Sequence, residues 1–283
     1  MIKLQDIHFR YKKNKPLFEN LNLTLQPGFI YGLLGKNGAG KSSLLKLISG
    51  MLFPNSGASK VFGSDASARK PAMLQDIYLV PEEFNLPAIS MATYVKTTAV
   101  FYDKFSHNQF NAYLAEFELT DDAKLSTLSY GQKKKFLIAF GLATNARLLI
   151  LDEPTNGLDI PSKSQFRKIM ASALDEEKII IISTHQVRDL ENLIDTIVVL
   201  ENGKIIFNHS IAAISERLAF EYDLNGLPAD EIVYAEEIHG RKAGIVKNIA
   251  GIDSRVDMEL LFNGIVKDAG KVNEQFAAFK YEL

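Results

Sequence analysis

The sequence GKNGAGKS, from Gly35 to Ser42, follows the apolar segment IYGLLG (Ile30 to Gly35) and leads into the apolar-periodic segment KSSLLKLISG (Lys41 to Gly50). It matches the pattern G-x-x-x-x-G-K-[ST]. In such a loop, glycines let the backbone curl so that N–H groups face phosphate oxygens, and the following helix adds the positive end of its dipole. A flexible glycine-rich turn is the alternative, but a strand before the loop and a helix after it favour a phosphate loop.

Strand and helix patterns alternate downstream of this loop. LLILD (Leu148 to Asp152) and KIIIIS (Lys178 to Ser183) are continuous apolar runs, and a helical pattern from Pro161 to Leu174 lies between them. Continuous apolar strands joined by helices predict a parallel sheet that is buried on both faces. The segments IKLQDIHFRY and LNLTLQPG alternate more strongly between apolar and polar residues, as antiparallel edge strands do.

The remaining segments complete a prediction of domain organisation. Residues 84–146 are rich in helical patterns, and VVLENGKIIF (Val198 to Phe207) carries the hairpin signal Asn202-Gly203. We therefore predict an α/β fold over residues 1–215, with a P-loop core, a mixed sheet, an antiparallel β edge subdomain and a helical insert. Residues 216–283 are predicted to form a small C-terminal α+β extension, with one hairpin and one helix from Ser254 to Gly270.

Two carboxylates end the predicted strand in LLILDEP. The carboxyl end of a parallel strand opens onto the crevice where ligands bind in such sheets. Asp152 suits a Mg²⁺-side carboxylate, and Glu153 points elsewhere, as a general base that activates water would. Lys41 would reach the β- and γ-phosphates, and Ser42 would bind Mg²⁺. A solvated strand end is the alternative for this acidic pair, and the phosphate loop upstream favours function.

His185 follows the next predicted buried strand, in ISTH (Ile182 to His185). A single histidine is usually a satisfied surface or core group. Here the neighbouring strand carries the acidic pair, and both strand ends meet at one edge of the sheet. We therefore predict that His185 contacts the γ-phosphate.

Composition excludes several classes of function. The chain has 283 residues, a formal net charge of −2 and 47% hydrophobic residues. Nucleic-acid binders carry a basic excess, so this charge argues against a nucleic-acid partner. The sequence has no cysteine, which excludes disulfides, thiolate zinc sites and cysteine nucleophiles. Its apolar runs are far shorter than the ~20 residues of a spanning helix, so we expect no membrane span.

Five ordered motifs give the sequence a family resemblance. LSYGQ (Leu128 to Gln132) resembles the LSGGQ signature of ATP-binding cassette (ABC) ATPases, and it lies between the phosphate loop (Walker A) and LLILDE (Walker B), in the family's order. NGLD (Asn156 to Asp159) resembles the D-loop, and His185 resembles the switch histidine. The resemblance covers about residues 2–207 and implies a P-loop NTPase that is the nucleotide-binding subunit of an ABC transporter.

The resemblance implies roles for individual residues. Two cassettes would dimerise head to tail, with each ATP between the Walker A loop of one subunit and the signature of the other. Lys41, Glu153 and His185 would be catalytic, and Ser42, Asp152 and Glu82 would face Mg²⁺. The nucleotide-binding residues would be Tyr11, Gly35, Lys36, Asn37, Gly38, Ala39, Gly40, Lys41, Ser42, Ser43 and Glu82. The residues that act in trans would be Leu128, Ser129, Tyr130, Gly131 and Gln132, with Asp159 in the D-loop.

Two positions depart from the family pattern. Glu82, in YLVPEE (Tyr78 to Glu83), falls where the family usually has the Q-loop glutamine. It adds negative charge near the phosphates, so we predict altered Mg²⁺ dependence or coupling. Tyr130 replaces the first signature glycine, and we expect its ring to pack on the partner while Ser129 and Gly131 keep the phosphate contact.

Two further segments have competing interpretations. The run Lys133 to Lys135 is predicted to form a solvated helix face, and the alternative is a favourable field for phosphate or anionic lipid. The aromatic cluster FYDKF (Phe101 to Phe105) favours core packing over an apolar groove for a membrane partner. Residues 84–94 are the predicted contact for that partner.

The sequence thus predicts an ATPase, with ATP and Mg²⁺, that drives a separate membrane permease. It would lie in the cytoplasm, peripheral to the inner face of the membrane, in a homodimer or heterodimer. Bacterial exporter subunits are the nearest analogy. The alternatives are an ABC ATPase that acts on nucleic acid or ribosomes and a regulatory cassette that binds nucleotide without hydrolysis.

Overall fold

The computed structural model describes residues 1–12, 15–120, 123–238, 240–249, 251 and 254–277. Its strands are β1 (Ile2–Phe9), β2 (Phe18–Leu25), β3 (Phe29–Leu34), β4 (Ser56–Val61), β5 (Ser64–Asp65), β6 (Ile77–Val80), β7 (Leu148–Asp152), β8 (Ile179–Thr184), β9 (Thr196–Glu201), β10 (Lys204–Ser210), β11 (Leu218–Glu221), β12 (Ile232–Ile238) and β13 (Arg241–Lys247). Its helices are α1 (Lys41–Ile48), α2 (Pro71–Leu74), α3 (Met91–Thr98), α4 (His107–Glu116), α5 (Tyr130–Ala143), α6 (Ile160–Ala173), α7 (Ile211–Arg217), α8 (Met258–Lys267) and α9 (Ala269–Ala277).

The central sheet has the strand order β10-β9-β3-β8-β7-β6. Strands β9, β3, β8, β7 and β6 are parallel, and β10 adds an antiparallel edge. Strands β7 and β8 are buried along their whole length, as their continuous apolar runs predict. The predicted mixed α/β sheet is therefore confirmed, and it places the carboxyl ends of β3, β7 and β8 at one edge.

Two antiparallel features flank this sheet. Strands β2-β1-β4-β5 form the second sheet, which is the predicted edge subdomain. The β9–β10 hairpin turns at Asn202 (φ 47°) and Gly203 (φ 73°). Positive φ at both central turn residues is typical of the type I′ turn that Asn-Gly favours.

Helices α3, α4 and α5 lie between β6 and β7 in the chain, within the predicted helical insert. Phe140 is fully buried there and contacts a set of aromatic rings at centroid distances of 5.0–6.4 Å. In FYDKF, Tyr102 and Phe105 pack against this core, whereas Phe101 is 69% exposed. The prediction of core packing is thus correct for Tyr102 and Phe105 and wrong for Phe101.

The C-terminal residues form the antiparallel sheet β11-β13-β12 with α8 and α9 packed near it. Their buried residues, such as Ile245 and Leu261, join the same hydrophobic cluster as Ile182 of the central sheet. The single helix predicted from Ser254 to Gly270 is wrong in its bounds. Asp257 caps α8 by accepting hydrogen bonds from the N–H groups of Glu259 and Leu260, and Gly270 lies inside α9. His239, in the predicted turn of the β12–β13 hairpin, lies outside the described residues.

Across the described part of the chain, no helix combines the length and the apolar character that crossing a membrane requires.

Candidate active site

The loop from Gly35 to Gly40 connects β3 to α1. A Cβ atom at Gly35 would lie 2.4 Å from the main-chain oxygen of Leu200, and Gly40 has φ 106°, so both positions require glycine. Lys41 begins α1, is buried, and donates from Nζ to the main-chain oxygen of Gly35 at 2.8 Å. The loop is thus held curled in front of the N-terminus of α1, as anion binding needs.

Asp152 ends β7 and Glu153 follows it, so the acidic pair lies at the end of the strand, as predicted. Both side chains are buried, and the hydroxyl of Ser183 on β8 donates to Oδ1 of Asp152. Glu153 has φ 47°, a left-handed conformation that is uncommon outside glycine. Its N–H donates to the main-chain oxygen of Ser183 at 3.0 Å. The chain therefore turns sharply at Glu153 while Asp152 stays in the strand.

The carboxylate of Glu153 has partners on three sides. Oε1 lies 2.8 Å from Nδ1 of His185, accepts from the N–H of His185 at 3.1 Å, and lies 3.8 Å from Nζ of Lys41. Oε2 accepts from the hydroxyl of Thr184 at 3.0 Å. The predicted catalytic residues Lys41, Glu153 and His185 are thus in one cluster.

A cavity of about 480 Å³ contains most of the predicted nucleotide-binding residues. Gly35, Lys36 and Ala39 lie outside its lining, and Lys36 forms an exposed ion pair with Glu201 at 3.6 Å. Leu17 was not predicted and adds an apolar wall. The cavity is lined by Tyr11, Leu17, Asn37, Gly38, Gly40, Lys41, Ser42, Ser43, Glu82, Asp152, Glu153 and His185.

Tyr11 lies at the mouth of this cavity. Its hydroxyl is 2.9 Å from the hydroxyl of Ser43, and its ring is 43% exposed and packs edge-to-face on Phe9 at 4.9 Å. A half-exposed ring held in this way offers an aromatic surface for a planar base.

Glu82 lines the same cavity from the segment after β6. Its side chain is exposed, and Oε1 accepts from Nδ2 of Asn156 at 3.4 Å. Asn156 in turn accepts from Nε2 of Gln186 at 3.2 Å. The departure at Glu82 therefore places a third carboxylate beside Asp152 and Glu153.

The signature residues lie outside the cavity lining, at the start of α5. Ser129 caps this helix: its hydroxyl accepts from the N–H of Gln132 at 3.2 Å, and its own N–H donates to Oε1 of Gln132 at 2.9 Å. Leu128 packs against the core, whereas Ser129 and Gln132 are exposed. A Cβ atom at Gly131 would lie 2.8 Å from the main-chain oxygen of Gly157.

Asp159 caps α6 in the same way. Its Oδ1 accepts from the N–H of Ser162 at 2.9 Å, and the hydrogen bonds from Ser162 lower the pKa of its carboxyl. The D-loop aspartate is thus held as an anion at a helix N-terminus.

Tyr130 packs within its own chain, and the contact of its ring with a partner stays a prediction. The ring stacks on Phe84 at 5.2 Å and 12°, and the hydroxyl donates to the main-chain oxygen of Glu82 at 2.7 Å. Burial, with the nearby charges of Glu82 and Glu83, raises the pKa of Tyr130. Because Phe84 and Glu82 lie close by on the same chain, the aromatic substitution finds its contact there.

Lys134 is buried, so the prediction of a solvated face for the whole run Lys133 to Lys135 is wrong. Lys134 is 0% exposed, and burial lowers the pKa of its ammonium. Lys135 is partly exposed and donates to the main-chain oxygen of Phe117 at 3.3 Å. Lys134, Ser183 and Thr184 are residues of the site that the sequence reasoning missed. Polar Ser183 and Thr184 at the end of an apolar strand were the available signal.

The donor set fits ATP and Mg²⁺. The curled loop and Lys41 suit phosphates, and the hydroxyl of Ser42 with the carboxylate of Asp152 are oxygen ligands of the kind Mg²⁺ prefers. Within the described residues, no group of three His, Asp or Glu side chains has the arrangement of a metal site.

Comparison with known proteins gives the family. A family model described as ABC transporter matches residues 18–156. Nod factor export ATP-binding protein I of Burkholderia thailandensis is 31% identical over 211 residues, which cover 72% of this chain and 69% of that protein. The chain belongs to the ABC transporter family. Within it, Nod factor export ATP-binding protein I of Rhizobium meliloti is 35% identical over 201 residues, which cover 68% of this chain and only 59% of that relative's length.

A solved structure shows the shared fold of the ABC cassette. A dimeric ATP-binding cassette in a post-hydrolysis state, bound to ADP and phosphate, superposes with a TM-score of 0.66. Its sequence is 22% identical, and the superposition covers 75% of this chain and 99% of that one. The family resemblance inferred from five motifs is therefore confirmed, and with it the cassette fold.

Proposed function

We propose that this chain is the ATP-hydrolysing subunit of an ABC transporter and that it drives a separate membrane permease. One observation carries the proposal: the carboxylate of Glu153 lies 2.8 Å from Nδ1 of His185 and 3.8 Å from Nζ of Lys41, in a cavity walled by the phosphate loop. A base and a phosphate-binding cation at one edge of the sheet are groups that catalyse phosphoryl transfer to water, and a histidine beside them can contact the terminal phosphate.

In this mechanism Glu153 accepts the proton of the attacking water. The N–H groups of the loop and Nζ of Lys41 bind the phosphate oxygens, and His185 orients the terminal phosphate. Ser42 and Asp152 would hold Mg²⁺, which supplies positive charge to the triphosphate when bound. Thr184 donates to Oε2 of Glu153, so the base has a fixed orientation before it accepts a proton.

Two cassettes would form the active unit, arranged head to tail. Ser129 is exposed at the N-terminus of α5, outside the cavity of its own chain. A helix N-terminus with a serine cap favours an anion. The signature of a second cassette would therefore complete the phosphate site, and the partner would be a second copy or a related chain. The dimeric state of the structural neighbour supports this arrangement.

The permease would bind beside the segment 84–94. A cavity of about 380 Å³ lies there between the central sheet and the helical insert, and Pro81, Phe84, Leu86 and Tyr94 contribute to its apolar lining. Tyr130 joins this segment to the signature helix through Glu82 and Phe84. A permease that binds here would thus change the position of the signature helix at the phosphate site. The names of the export relatives support export as the direction.

We propose a location in the cytoplasm, at the inner face of the membrane, where a permease-bound cassette has access to ATP. An ABC protein that acts on nucleic acid is the second candidate, and the net charge of −2 does not favour it. A cassette that only binds nucleotide is the third, and Glu153 with His185 in contact argues against it.

Three proteins test the proposal: wild type, Lys41→Ala and Glu153→Gln. We expect wild type to hydrolyse ATP in the presence of Mg²⁺. Lys41→Ala should lose most ATP binding because the phosphate loop loses its cation. Glu153→Gln should bind ATP, lose at least about 100-fold in kcat, and form a dimer that light scattering detects after gel filtration. The proposal is contradicted if the wild-type protein does not hydrolyse ATP, or if Glu153→Gln hydrolyses ATP as fast as the wild type does.

The partner is tested separately. Affinity-tagged Glu153→Gln, purified from detergent extracts of the native cells with ATP, is expected to retain a multi-span membrane protein. Substitution of Phe84 by Asp, in the proposed permease contact, should abolish that retention while the protein stays folded. Retention of RNA instead would favour the second candidate.

A further inference from the structure

Lys134 is fully buried, although it follows the signature in a run of three lysines. Removal of an ammonium from water costs several kcal/mol unless hydrogen bonds and opposite charges offset the cost. A lysine that is buried in this way therefore needs hydrogen-bond and charge partners that offset the cost of removing its ammonium from water. None of the roles assigned above to the phosphate loop, the acidic pair or His185 uses it.

The partners of Lys134 belong to the active site. Its Nζ donates to the main-chain oxygen of Glu153 at 2.7 Å and lies 5.1 Å from the centroid of the Tyr130 ring. The negative charges of Glu82, Glu153 and Asp152 favour its ammonium form, and burial opposes them. Lys134 thus lies behind Glu153, outside the lining of the nucleotide cavity.

Glu153 needs such a partner because of its backbone. A left-handed conformation of a non-glycine residue is unfavourable and persists only where its surroundings hold it. Hydrogen bonds hold the main chain of Glu153 at both ends: its N–H donates to the main-chain oxygen of Ser183 at 3.0 Å, and its main-chain oxygen accepts from Nζ of Lys134 at 2.7 Å and from the N–H of Asn156 at 3.3 Å. The left-handed turn at the strand end is what directs the carboxylate to Thr184 and His185.

We propose that Lys134 is a positioning residue for hydrolysis: it fixes the main chain of Glu153 in the left-handed turn and so aims the carboxylate at the attacking water. The inference rests on the proposed ATPase function. It links the signature helix to the general base within one chain, because Lys134 lies one turn after Tyr130 in α5. Its ammonium also offsets the three carboxylates that Glu82, Asp152 and Glu153 bring together.

Two substitutions separate the parts of this role. Lys134→Met keeps the apolar stem and removes both donor and charge, whereas Lys134→Gln keeps a neutral donor. Lys135→Met is the matched control, since it removes the same charge one position along α5. Steady-state kinetics give kcat, equilibrium binding gives the ATP dissociation constant, and the stoichiometry of binding gives the concentration of folded sites.

We expect Lys134→Met to lower kcat about 10- to 100-fold, the usual effect of losing a group that orients a catalytic residue. Its ATP dissociation constant should stay within about twofold of wild type, because Lys134 does not line the cavity. Lys134→Gln should be intermediate and Lys135→Met unchanged. A lysine that only fills the core would lower the number of folded sites and leave kcat per site unchanged, and this result overturns the inference.

A second comparison covers the remaining outcomes. If Lys134→Met does not fold, Lys134→Gln decides: unchanged kcat per site overturns the inference, and reduced kcat at unchanged ATP affinity supports it. A wild-type protein without hydrolysis contradicts the proposed function alone. The crystal structure of Lys134→Met, which has no donor at this position, then tests the positioning role: a Glu153 carboxylate that stays on His185 and Thr184 overturns it, and a displaced carboxylate supports it.

Discussion

The hydroxyl of Tyr130 donates a hydrogen bond to the main-chain oxygen of Glu82 at 2.7 Å, across 48 positions of sequence. The Tyr130 ring is also stacked on Phe84, and a Cβ atom at Gly157 would lie 2.7 Å from it. One side chain of the signature thus touches the segment after β6 and the loop after β7. The segment after β6 carries Glu82 and the loop after β7 begins at Glu153, and both residues line the nucleotide cavity, so Tyr130 couples α5 to that cavity.

Tyr130→Phe tests this coupling, because it removes the hydroxyl and keeps the stacking ring. We expect the free energy of unfolding to fall by about 0.5–1.5 kcal/mol, the net value of a hydrogen bond. Amide hydrogen exchange in residues 82–86 should accelerate, since their main chain loses its anchor on α5. Tyr113→Phe, a change in α4, is the control and should leave exchange in those residues unchanged. Unaltered exchange in Tyr130→Phe would show that stacking alone holds the segment.

Glu82→Gln tests the extra carboxylate at the nucleotide cavity. Removal of one negative charge should raise the Mg²⁺ concentration for half-maximal hydrolysis by roughly fivefold and lower the KM for ATP. The reason is that two unit charges a few ångströms apart in a water-exposed site interact by about 1 kcal/mol, so the lost carboxylate no longer attracts Mg²⁺ or repels the phosphates. The amide oxygen of the introduced Gln can still accept the hydrogen bond from Nδ2 of Asn156. Glu83→Gln removes the same charge from the exposed neighbour and should change neither value. Identical Mg²⁺ and ATP dependence in wild type and Glu82→Gln would refute the role of this carboxylate.

The parts of the fold that sequence predicts well are governed by local patterns. The loop before Lys41 and the strand before Asp152 are contiguous motifs, and continuous apolar runs specify buried parallel strands wherever they occur. The predicted end of the helix from Ser254 to Gly270 is wrong because α8 ends at Lys267 and Gly270 lies in the first turn of α9. At this break the Oδ1 atom of Asp268 accepts a hydrogen bond from the N–H of Lys271 in α9.

Lys134 and Tyr130 show what local patterns leave out. In a run of three lysines composition predicts solvent exposure, and spacing does not single out position 134, because every residue of α5 from Phe136 to Ala143 is buried. The contact of Tyr130 with Phe84 depends on how α5 packs against the segment after β6, which no spacing within LSYGQ specifies.

The aromatic core of the helical insert should dominate its stability. Phe140→Ala is expected to lower the free energy of unfolding by about 3–5 kcal/mol, because it opens a cavity among the rings of Tyr78, Tyr94 and Phe105. Phe101→Ala is the matched control: its ring is 69% exposed, and the change should be within about 0.5 kcal/mol. Urea unfolding monitored by circular dichroism measures both. Equal losses in the two variants would show that the insert core repacks around the missing ring.

The contact between β10 and α9 should depend on pH through His209. The His209 ring stacks on Phe276 at 4.0 Å and 17°. Burial lowers the pKa of His209 below its ordinary value of 6.5, helped by the charge of Arg217 and opposed by a hydrogen bond with Asn273. Between the lowered pKa and 6.5 the native state therefore holds fewer protons than the unfolded chain, and the free energy of unfolding rises with pH. This contribution is fully present above pH 6.5 and is lost as the pH falls through the native-state pKa.

Thermal unfolding from pH 7.5 to pH 5 should show a steeper loss of Tm in wild type than in His209→Gln. Parallel curves for wild type and His209→Gln would assign the acid sensitivity to other groups.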